Sequence, residues 1–527
     1  MPENDSDQKS VVSQSQIYTY SRSHPSISVD EYTSYEKKIK VINGALQEIG
    51  MGRYQWNLFI VTGFGYFSDN LWPIVTGLIL PVVANEFQFR GAFLKLGQNI
   101  GLLVGAAFWG LAADIWGRRI SFNVTLLITG VFAISAGASP NYIVLTSFAA
   151  AWSVGVGGNL PVDSAIFLEF VPQQNQYLLT VLSIWWAFGQ LIGSLIAWPL
   201  IGNFSCPTSA HSSCKRSENE GWRYFLFTMG GLMLLFWIFR IFFFTLYESP
   251  KYLVGKGRDQ EALHTVHVVA AYNRTTTSLK AEDFSVSHSS SEGNVFLENT
   301  GPVRFIRDQL GAVRGLSAAT TSNTNRIRAL FIGPQMARST TLLISLWALI
   351  GLAFPLYNSF VTYYLETRGA DFGDGSIYIT YRNQVIISVI GIPGAIIGGY
   401  MVEVPALGRR GTLSLFTVLT GVFILSSTTA RSSNSLLAWN CAYSFTSNIM
   451  YGVLYAITPE LFLTKDRGTG NAITATANRI FGVMAPIIAL YADLTTSVPI
   501  FIAGAIFIVS AILPLLLPFD TQGTAAL

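Results

Sequence analysis

Charged residues are scarce in this chain. Asp, Glu, Lys and Arg make up 12% of its 527 residues, against about a quarter in an ordinary soluble domain. Half of the residues are hydrophobic and 13% are aromatic, so a soluble globule could not bury the apolar surface, and a disordered chain is excluded. A net charge of +3 gives no reason to expect a nucleic-acid partner. The composition predicts a protein that crosses a membrane several times.

Cysteine and histidine are also rare, with three and five residues. These numbers are too small for a zinc cluster or a disulfide scaffold. Cys206 and Cys214 lie close together in a polar segment and are a candidate disulfide pair, whereas Cys441 lies in an apolar run. The sequence has neither the phosphate-binding Gly-x-x-x-x-Gly-Lys-Ser/Thr motif nor the Gly-x-Ser-x-Gly motif of hydrolases. We therefore expect no metal, no cofactor, no direct use of ATP and no enzymatic activity.

Long apolar runs dominate what is present. Twelve of them can each cross about 30 Å of hydrocarbon, which takes about 20 helical residues. The sequence therefore predicts an all-α membrane protein with twelve transmembrane helices. The predicted spans are 55–83, 92–113, 120–138, 142–168, 178–202, 222–246, 340–364, 380–402, 411–430, 436–457, 470–491 and 498–518.

Polar segments divide these spans into two groups of six. We expect two six-helix halves at 54–246 and 340–518, joined by a cytoplasmic loop at 247–339, with cytoplasmic tails at 1–53 and 519–527. The N-terminal tail has no apolar core preceded by basic residues, so it is not expected to be a signal peptide. The first part of the central loop is predicted to form short amphipathic helices.

Lysine and arginine are concentrated on one side of the predicted membrane. The N-terminal tail, the connection after the second span and the central loop carry most of them, which places these segments in the cytoplasm. The segment 203–221 then lies outside, where Cys206 and Cys214 can be oxidised and where Asn203, in Asn-Phe-Ser, is a glycosylation acceptor. We expect a multi-pass protein of the plasma membrane, with an internal membrane as the alternative.

Two motifs recur at one offset. Gly117-Arg118-Arg119 matches Gly408-Arg409-Arg410, and Glu169 matches Glu460, both at a separation of 291 residues. Two independent motifs with the same spacing indicate an internal duplication. Two homologous halves with a substrate site near the midplane between them form the architecture of an alternating-access carrier.

Several segments resemble those of known transporters. The run GLAADIWGRR at 110–119 resembles the signature between the second and third helices of the major facilitator superfamily, and the resemblance extends over all twelve spans. YESPKYL at 247–253, and TPELF followed by RGTG near 458–470, resemble the sugar-porter branch. GMGRYQW and GFGYFSD at 50–69 are most similar to transporters related to the synaptic vesicle glycoproteins. The resemblance implies the major facilitator fold and solute transport, but it implies no particular solute.

The repeated loop motifs predict a cytoplasmic gate. Gly117 permits a tight turn, and the neighbouring charges can pair with helix ends and with Glu169, which would hold the halves together while the carrier opens outward. The alternative is that the arginines only enforce topology. The candidate gate residues are Asp114, Gly117, Arg118, Arg119, Glu169, Gly408, Arg409, Arg410, Glu460 and Arg467.

Ionisable residues inside the spans point to coupling and binding, because a charge in hydrocarbon needs a cavity or a partner. Asp69 and Asp163 are candidate proton-coupling residues; the alternative is a structural pairing of Asp69 with a buried arginine. Arg382 and Arg479 can neutralise these acids or bind a substrate carboxylate or phosphate.

Uncharged polar residues complete the predicted substrate site. Gln190, Asn358 and Tyr363 resemble cavity-lining positions of sugar porters, although single buried amides often serve only to join helices.

The leading functional hypothesis is a monomeric, proton-coupled symporter of a small polar or anionic organic solute, such as an organic acid, a sugar or phosphate. A proton-coupled efflux antiporter is the alternative within the same class. A solute receptor that does not transport is a third hypothesis.

Overall fold

A computed structural model of the protein describes residues 29–89, 91–206, 216–284, 327–328, 330–371, 377–462, 467–491 and 498–518. The described residues are mostly helical and confirm the all-α membrane fold. The helices are α1 (Val29–Ile49), α2 (Arg53–Phe87), α3 (Ala92–Trp116), α4 (Arg118–Gly137), α5 (Tyr142–Phe170), α6 (Leu178–Val181), α7 (Ile184–Phe204), α8 (Gly221–Ile238), α9 (Pro250–Gly255), α10 (Asp259–Tyr272), α11 (Pro334–Asp371), α12 (Ile377–Met401), α13 (Gly408–Ser427), α14 (Ser433–Glu460), α15 (Arg467–Tyr491), α16 (Val498–Ser510) and α17 (Ile512–Leu515).

Ten helical segments among the described residues are long and apolar enough to cross a bilayer. They match the predicted spans except for the tenth and eleventh, which form α14 and α15. These two helices carry many polar side chains, because Asn440, Ser444, Asn448 and Asn478 face a central cavity instead of lipid.

Each half has its own buried apolar core. One core joins α1 to α10 and also includes Tyr381 and Ala456, and the other joins α11 to α16. The halves meet where α3 packs on α15 and where α7 packs on α12. Between the first pair, Asn99 Nδ2 donates a hydrogen bond of 3.1 Å to the Gly482 carbonyl. We call the helix ends near Gly117 and Gly408 the inner face, which the sequence predicts to be cytoplasmic, and the opposite ends the outer face.

A stripe of glycines brings α3 and α5 into close contact. Gly97, Gly101 and Gly105 recur every fourth residue on α3, and a Cβ atom on Gly101 would collide with the Ala150 carbonyl. Small residues at this spacing let two membrane helices pack backbone to backbone. The stripe therefore fixes the distance between two helices of the first half.

The N-terminal tail is more structured than the sequence analysis expected, because residues 29–49 form a helix. Ile39, Ile42, Leu46 and Ile49 of α1 are buried, and α1 packs on α9 and α10 of the central connection. Their spacing of three to four residues is that of an amphipathic helix, so the signal was present in the sequence. Helices α9 and α10 lie where short amphipathic helices were predicted.

Candidate functional site

A cavity of about 120 Å³ lies between the two halves. It is lined by α2 and α7 from the first half and by α11, α12, α14 and α15 from the second half. Its charged and amide side chains are Asp69, Asn70, Gln190, Asn358, Gln384, Asn440, Asn448, Asn478 and Arg479, and its aromatic side chains are Trp186, Phe354, Tyr443, Tyr451 and Tyr455. Amides combined with aromatic rings suit a small polar solute.

An ion pair between the halves lies in this cavity. Arg479 Nη2 of α15 is 2.9 Å from Asp69 Oδ1 of α2. Both side chains are mostly buried, with 19% and 12% exposure. Asp69 lies four residues before Pro73, which interrupts the hydrogen bonds of α2 because proline has no N–H. The structure thus joins the predicted coupling acid to one of the two predicted arginines.

The other predicted binding residues have different surroundings. Gln190 and Asn358 both line the cavity, and Asn358 Nδ2 donates a hydrogen bond of 2.7 Å to the Tyr443 hydroxyl. Arg382 is exposed and donates to Asn383 Oδ1 at 3.1 Å, so the structure does not bring it to either acid. The side chain of Tyr363 lies outside the described residues.

Asp163 lies apart from the cavity lining, in a fully buried pair with Arg240. Arg240 Nη2 is 2.7 Å from Asp163 Oδ2, and the guanidinium also donates to the carbonyls of Val61 and Phe122. Arg240 was not among the candidate residues predicted from the sequence. The available signal was a single arginine in the apolar run FWIFRIFFF, where a buried charge requires a partner.

Lys95 is a second buried cation that the sequence analysis missed. It lies on α3, is 9% exposed, and donates a hydrogen bond of 2.6 Å to the Pro73 carbonyl. A lysine within an apolar span was the signal for it.

At the inner face, the repeated motifs form matching ion pairs. Arg118 pairs with Glu169, and Arg409 pairs with Glu460 at 2.9 Å. Each pair joins two helices of the same half, so these two pairs do not themselves bridge the halves as the sequence led us to expect. Gly117 and Gly408 have positive φ angles of 96° and 58°, which favour glycine and explain the tight turns.

The other predicted gate residues with described side chains are not part of these two ion pairs. Arg410 Nε donates a hydrogen bond of 3.1 Å to the Pro514 carbonyl in α17, whereas Arg119 is exposed. The side chains of Asp114 and Arg467 lie outside the described residues.

Three aromatic side chains, Trp186, Trp347 and Tyr455, form a layer at the edge of the central cavity, which Trp186 and Tyr455 line. The rings of Trp347 and Tyr455 are 4.5 Å apart, and those of Trp186 and Tyr455 are 5.0 Å apart. Trp347 Nε1 also donates a hydrogen bond of 2.9 Å to Thr458. Because Trp186 belongs to the first half and the other residues to the second half, separating the halves at the inner face would open this layer.

The described residues predicted to carry covalent modifications, Asn203 and Cys206, lie at the outer face. Cys206 is disulfide-bonded, and Cys441 is a free thiol. Cys214, the predicted partner of Cys206, lies outside the described residues, so the pairing remains a prediction. Asn203 is exposed near the end of α7, as a glycosylation acceptor must be.

Comparison with known proteins identifies the family. The chain is 54% identical over 493 residues to MFS siderochrome iron transporter 1 of Ceriporiopsis subvermispora (strain B), covering 94% of this chain and 92% of that protein. The chain belongs to the major facilitator superfamily. It is therefore a multi-pass membrane transporter.

Other matches agree with this assignment. Residues 96–309 of the transporter match the family model described as Sugar (and other) transporter. Synaptic vesicle glycoprotein 2A of Bos taurus is 26% identical over 59% of this chain and 41% of that protein. These matches confirm the resemblance to the sugar-porter branch and to the synaptic vesicle glycoproteins.

A solved structure shows the same fold. The proton:xylose symporter XylE of E. coli, bound to 6-bromo-6-deoxy-D-glucose, superimposes with a TM-score of 0.65 at 15% identity. The match covers 90% of this transporter and 98% of XylE.

Proposed function

We propose that this transporter is a secondary active carrier that couples proton movement to the import of a small polar or anionic organic solute by alternating access. The observation that carries the proposal is the Asp69–Arg479 pair, which lies in the central cavity and joins the two halves. The pair combines an acid that can take up a proton with a cation that can bind an anion.

The proposed coupling follows from competition for Arg479. A substrate carboxylate or phosphate that enters the cavity can form a bidentate contact with the guanidinium. Asp69 then loses its partner in a poorly solvated site, where protonation removes the cost of an unpaired charge. Binding of the anion and of the proton therefore favour each other, which is the requirement for symport.

Access to the inner face would be controlled by the aromatic layer of Trp186, Trp347 and Tyr455. We propose that the layer closes the cavity on the cytoplasmic side and opens when the halves rock apart. The Arg118–Glu169 and Arg409–Glu460 pairs would keep the helix ends of each half rigid during this motion, because each pair is almost fully buried.

The orientation in the membrane is part of the proposal. Both termini and the central loop are expected in the cytoplasm. A Ser289→Cys variant, at a position outside the described residues, should react with a membrane-impermeant maleimide only after permeabilisation. Reaction in intact cells would contradict the orientation.

Two substrate classes are compatible with the similarity to known transporters: a small polar or anionic solute and an iron–siderochrome complex. The amides and aromatic rings of the cavity favour a small solute, whereas the name of the 54% identical relative suggests an iron–siderochrome complex. The cavity offers a cation, several amides and several aromatic rings, which suit a small polar or anionic solute, so we favour the small solute.

The test uses the purified full-length protein in liposomes. Labelled sugars, monocarboxylates, phosphate and an iron–siderochrome complex are supplied outside, with the outside acidic, with equal pH, or with the inside acidic. Symport predicts accumulation only with the outside acidic, and a protonophore should abolish it. Accumulation driven by an acidic interior would indicate the antiporter. Binding without accumulation of any of these solutes would favour a receptor and contradict the proposal.

A further inference from the structure

A polar contact at the inner face holds the N-terminal helix to the central connection. The carboxylate of Glu48, near the end of α1, accepts a hydrogen bond of 2.9 Å from the Ser278 hydroxyl and bonds of 3.0 and 3.1 Å from the Ser278 N–H. The Thr277 hydroxyl adds a bond of 3.2 Å. A single carboxylate thus accepts hydrogen bonds from three groups of one loop, and Ser278 of that loop is 230 positions from Glu48 in the sequence.

The contact between Glu48 and Ser278 lies next to the start of the first membrane helix, α2. Glu48 lies four residues before Gly52, the N-cap of α2. The Tyr54 N–H in the first turn of α2 donates a hydrogen bond of 2.8 Å to Asn273 Oδ1, at the end of α10. Helix α1, the end of α10 and the loop after it therefore form one layer on the start of α2, and Asp69 lies further along that helix.

Ser278 is accessible as well as bonded. The side chain is exposed, and residues 275–280 adopt neither helix nor strand. Four hydroxyl residues follow one another from Thr275 to Ser278, directly after the exposed Arg274. An enzyme that modifies hydroxyl groups can reach such a segment without unfolding a helix.

We propose that Ser278 is a phosphorylation site whose modification releases α1 from the central connection. A serine/threonine kinase would transfer the γ-phosphoryl group of ATP to Ser278 Oγ. The new bond joins this oxygen to phosphorus, the bond from phosphorus to the β,γ-bridging oxygen breaks, ADP leaves, and the hydroxyl proton is released. The modified oxygen has no hydrogen to donate, and a phosphate of about −1.5 to −2 charge faces the Glu48 carboxylate.

This proposal depends on the cytoplasmic orientation in the proposed function, because ATP-dependent kinases act in the cytosol. It does not depend on transport or on the solute. The Ser289→Cys labelling tests the orientation separately, so failure of one proposal can be distinguished from failure of the other.

The contact between Lys38 and Asp259 provides a reporter for the docked state. Lys38 on α1 and Asp259 at the start of α10 form an ion pair, so a carbodiimide should link them as an amide when α1 is docked. The linked peptides are quantified by mass spectrometry in the full-length protein in nanodiscs. Ser278→Asp, which adds a carboxylate beside Glu48, should lower the yield about twofold, as expected for one like-charge pair between two exposed side chains.

Three further variants separate charge repulsion from the loss of a hydrogen bond. Ser278→Ala should lower the yield less than Ser278→Asp, because the N–H still donates to Glu48. Thr276→Asp, a matched charge at an exposed neighbour, should leave the yield near that of the wild type. Glu48→Gln combined with Ser278→Asp should restore the cross-linking yield to that of the wild type, because the amide introduced at position 48 can donate a hydrogen bond to the new carboxylate. Equal losses for Ser278→Asp and Thr276→Asp, or no loss for Ser278→Asp, would overturn the release of α1.

The modification itself is tested on protein expressed in yeast and isolated with phosphatase inhibitors. Peptide mapping should find phosphate on Ser278, and treatment with a phosphatase should raise the Lys38–Asp259 yield. A Ser278 peptide without phosphate, in a digest that recovers it fully, would overturn the assignment.

Discussion

Arg479 and Asp69 are separated by 410 positions in the chain, yet their side chains meet at 2.9 Å between the two halves. No other described pair places opposite charges from different halves in the central cavity. If the halves separate at the central cavity, this ion pair must break. Each charge then needs another partner, or Asp69 must take up a proton.

Asp69→Asn should abolish solute accumulation driven by a pH gradient. The amide resembles the protonated acid in size but cannot release a proton. Exchange of labelled for unlabelled solute should continue, because exchange does not require release of the proton. Uptake and exchange are both measured in liposomes. A variant that still accumulates solute with an unchanged dependence on external pH would show that the proton is carried elsewhere.

Arg479→Lys should raise the KM for an anionic solute about tenfold, because an ammonium keeps the charge but loses the bidentate contact. Arg479→Gln should reduce anion uptake further. Asp69→Asn/Arg479→Gln serves as the control that leaves no unpaired charge. If the KM of the transported solute is the same in wild type and Arg479→Lys, the guanidinium does not bind it.

Asp163→Asn should lower stability without changing the coupling. Removing one charge of the buried pair leaves Arg240 uncompensated, which costs about 3–5 kcal/mol. Replacing both by apolar residues, as in Asp163→Leu/Arg240→Met, should recover much of this loss. Melting temperature in detergent gives the stability. A stable Asp163→Asn protein with an altered pH dependence of uptake would instead make Asp163 a coupling residue.

Gly101→Ala should destabilise the first half by about 1–3 kcal/mol, because the added methyl group overpacks the contact with α5. Gly231→Ala is the matched control, since a Cβ atom there meets nothing within 4 Å. Equal melting temperatures for the two variants would show that α3 and α5 can move apart at no cost.

The docking of α1 should weaken in acid. The N–H and the hydroxyl of Ser278 lower the pKa of the Glu48 carboxyl from its ordinary value of 4.5. The contribution of Glu48 is therefore fully present above pH 4.5 and is lost as the pH falls through the lowered pKa. Anisotropy of a fluorophore on Lys40→Cys should fall in that range. The fall should be smaller in Glu48→Gln, and identical curves would contradict this prediction.

The sequence alone predicts much of the architecture. A chain of this length cannot bury twelve apolar runs of about 20 residues each outside a bilayer. The membrane fold therefore follows from composition and length. The offset of 291 residues between matching motifs predicts two equivalent halves, and Arg118–Glu169 and Arg409–Glu460 are indeed equivalent pairs. The positive φ angles at Gly117 and Gly408 follow from the same motifs.

Only the tertiary structure decided which charges meet. From the sequence, Arg382 and Arg479 were equal candidates for Asp69, and Asp163 lacked its true partner, Arg240. The choice depends on how each helix is rotated and how it crosses its neighbours, which is set by packing across the whole bundle and not by local spacing. The same is true of Glu48 and Ser278, because a contact between segments 230 residues apart exists only once α1 has docked on the central connection.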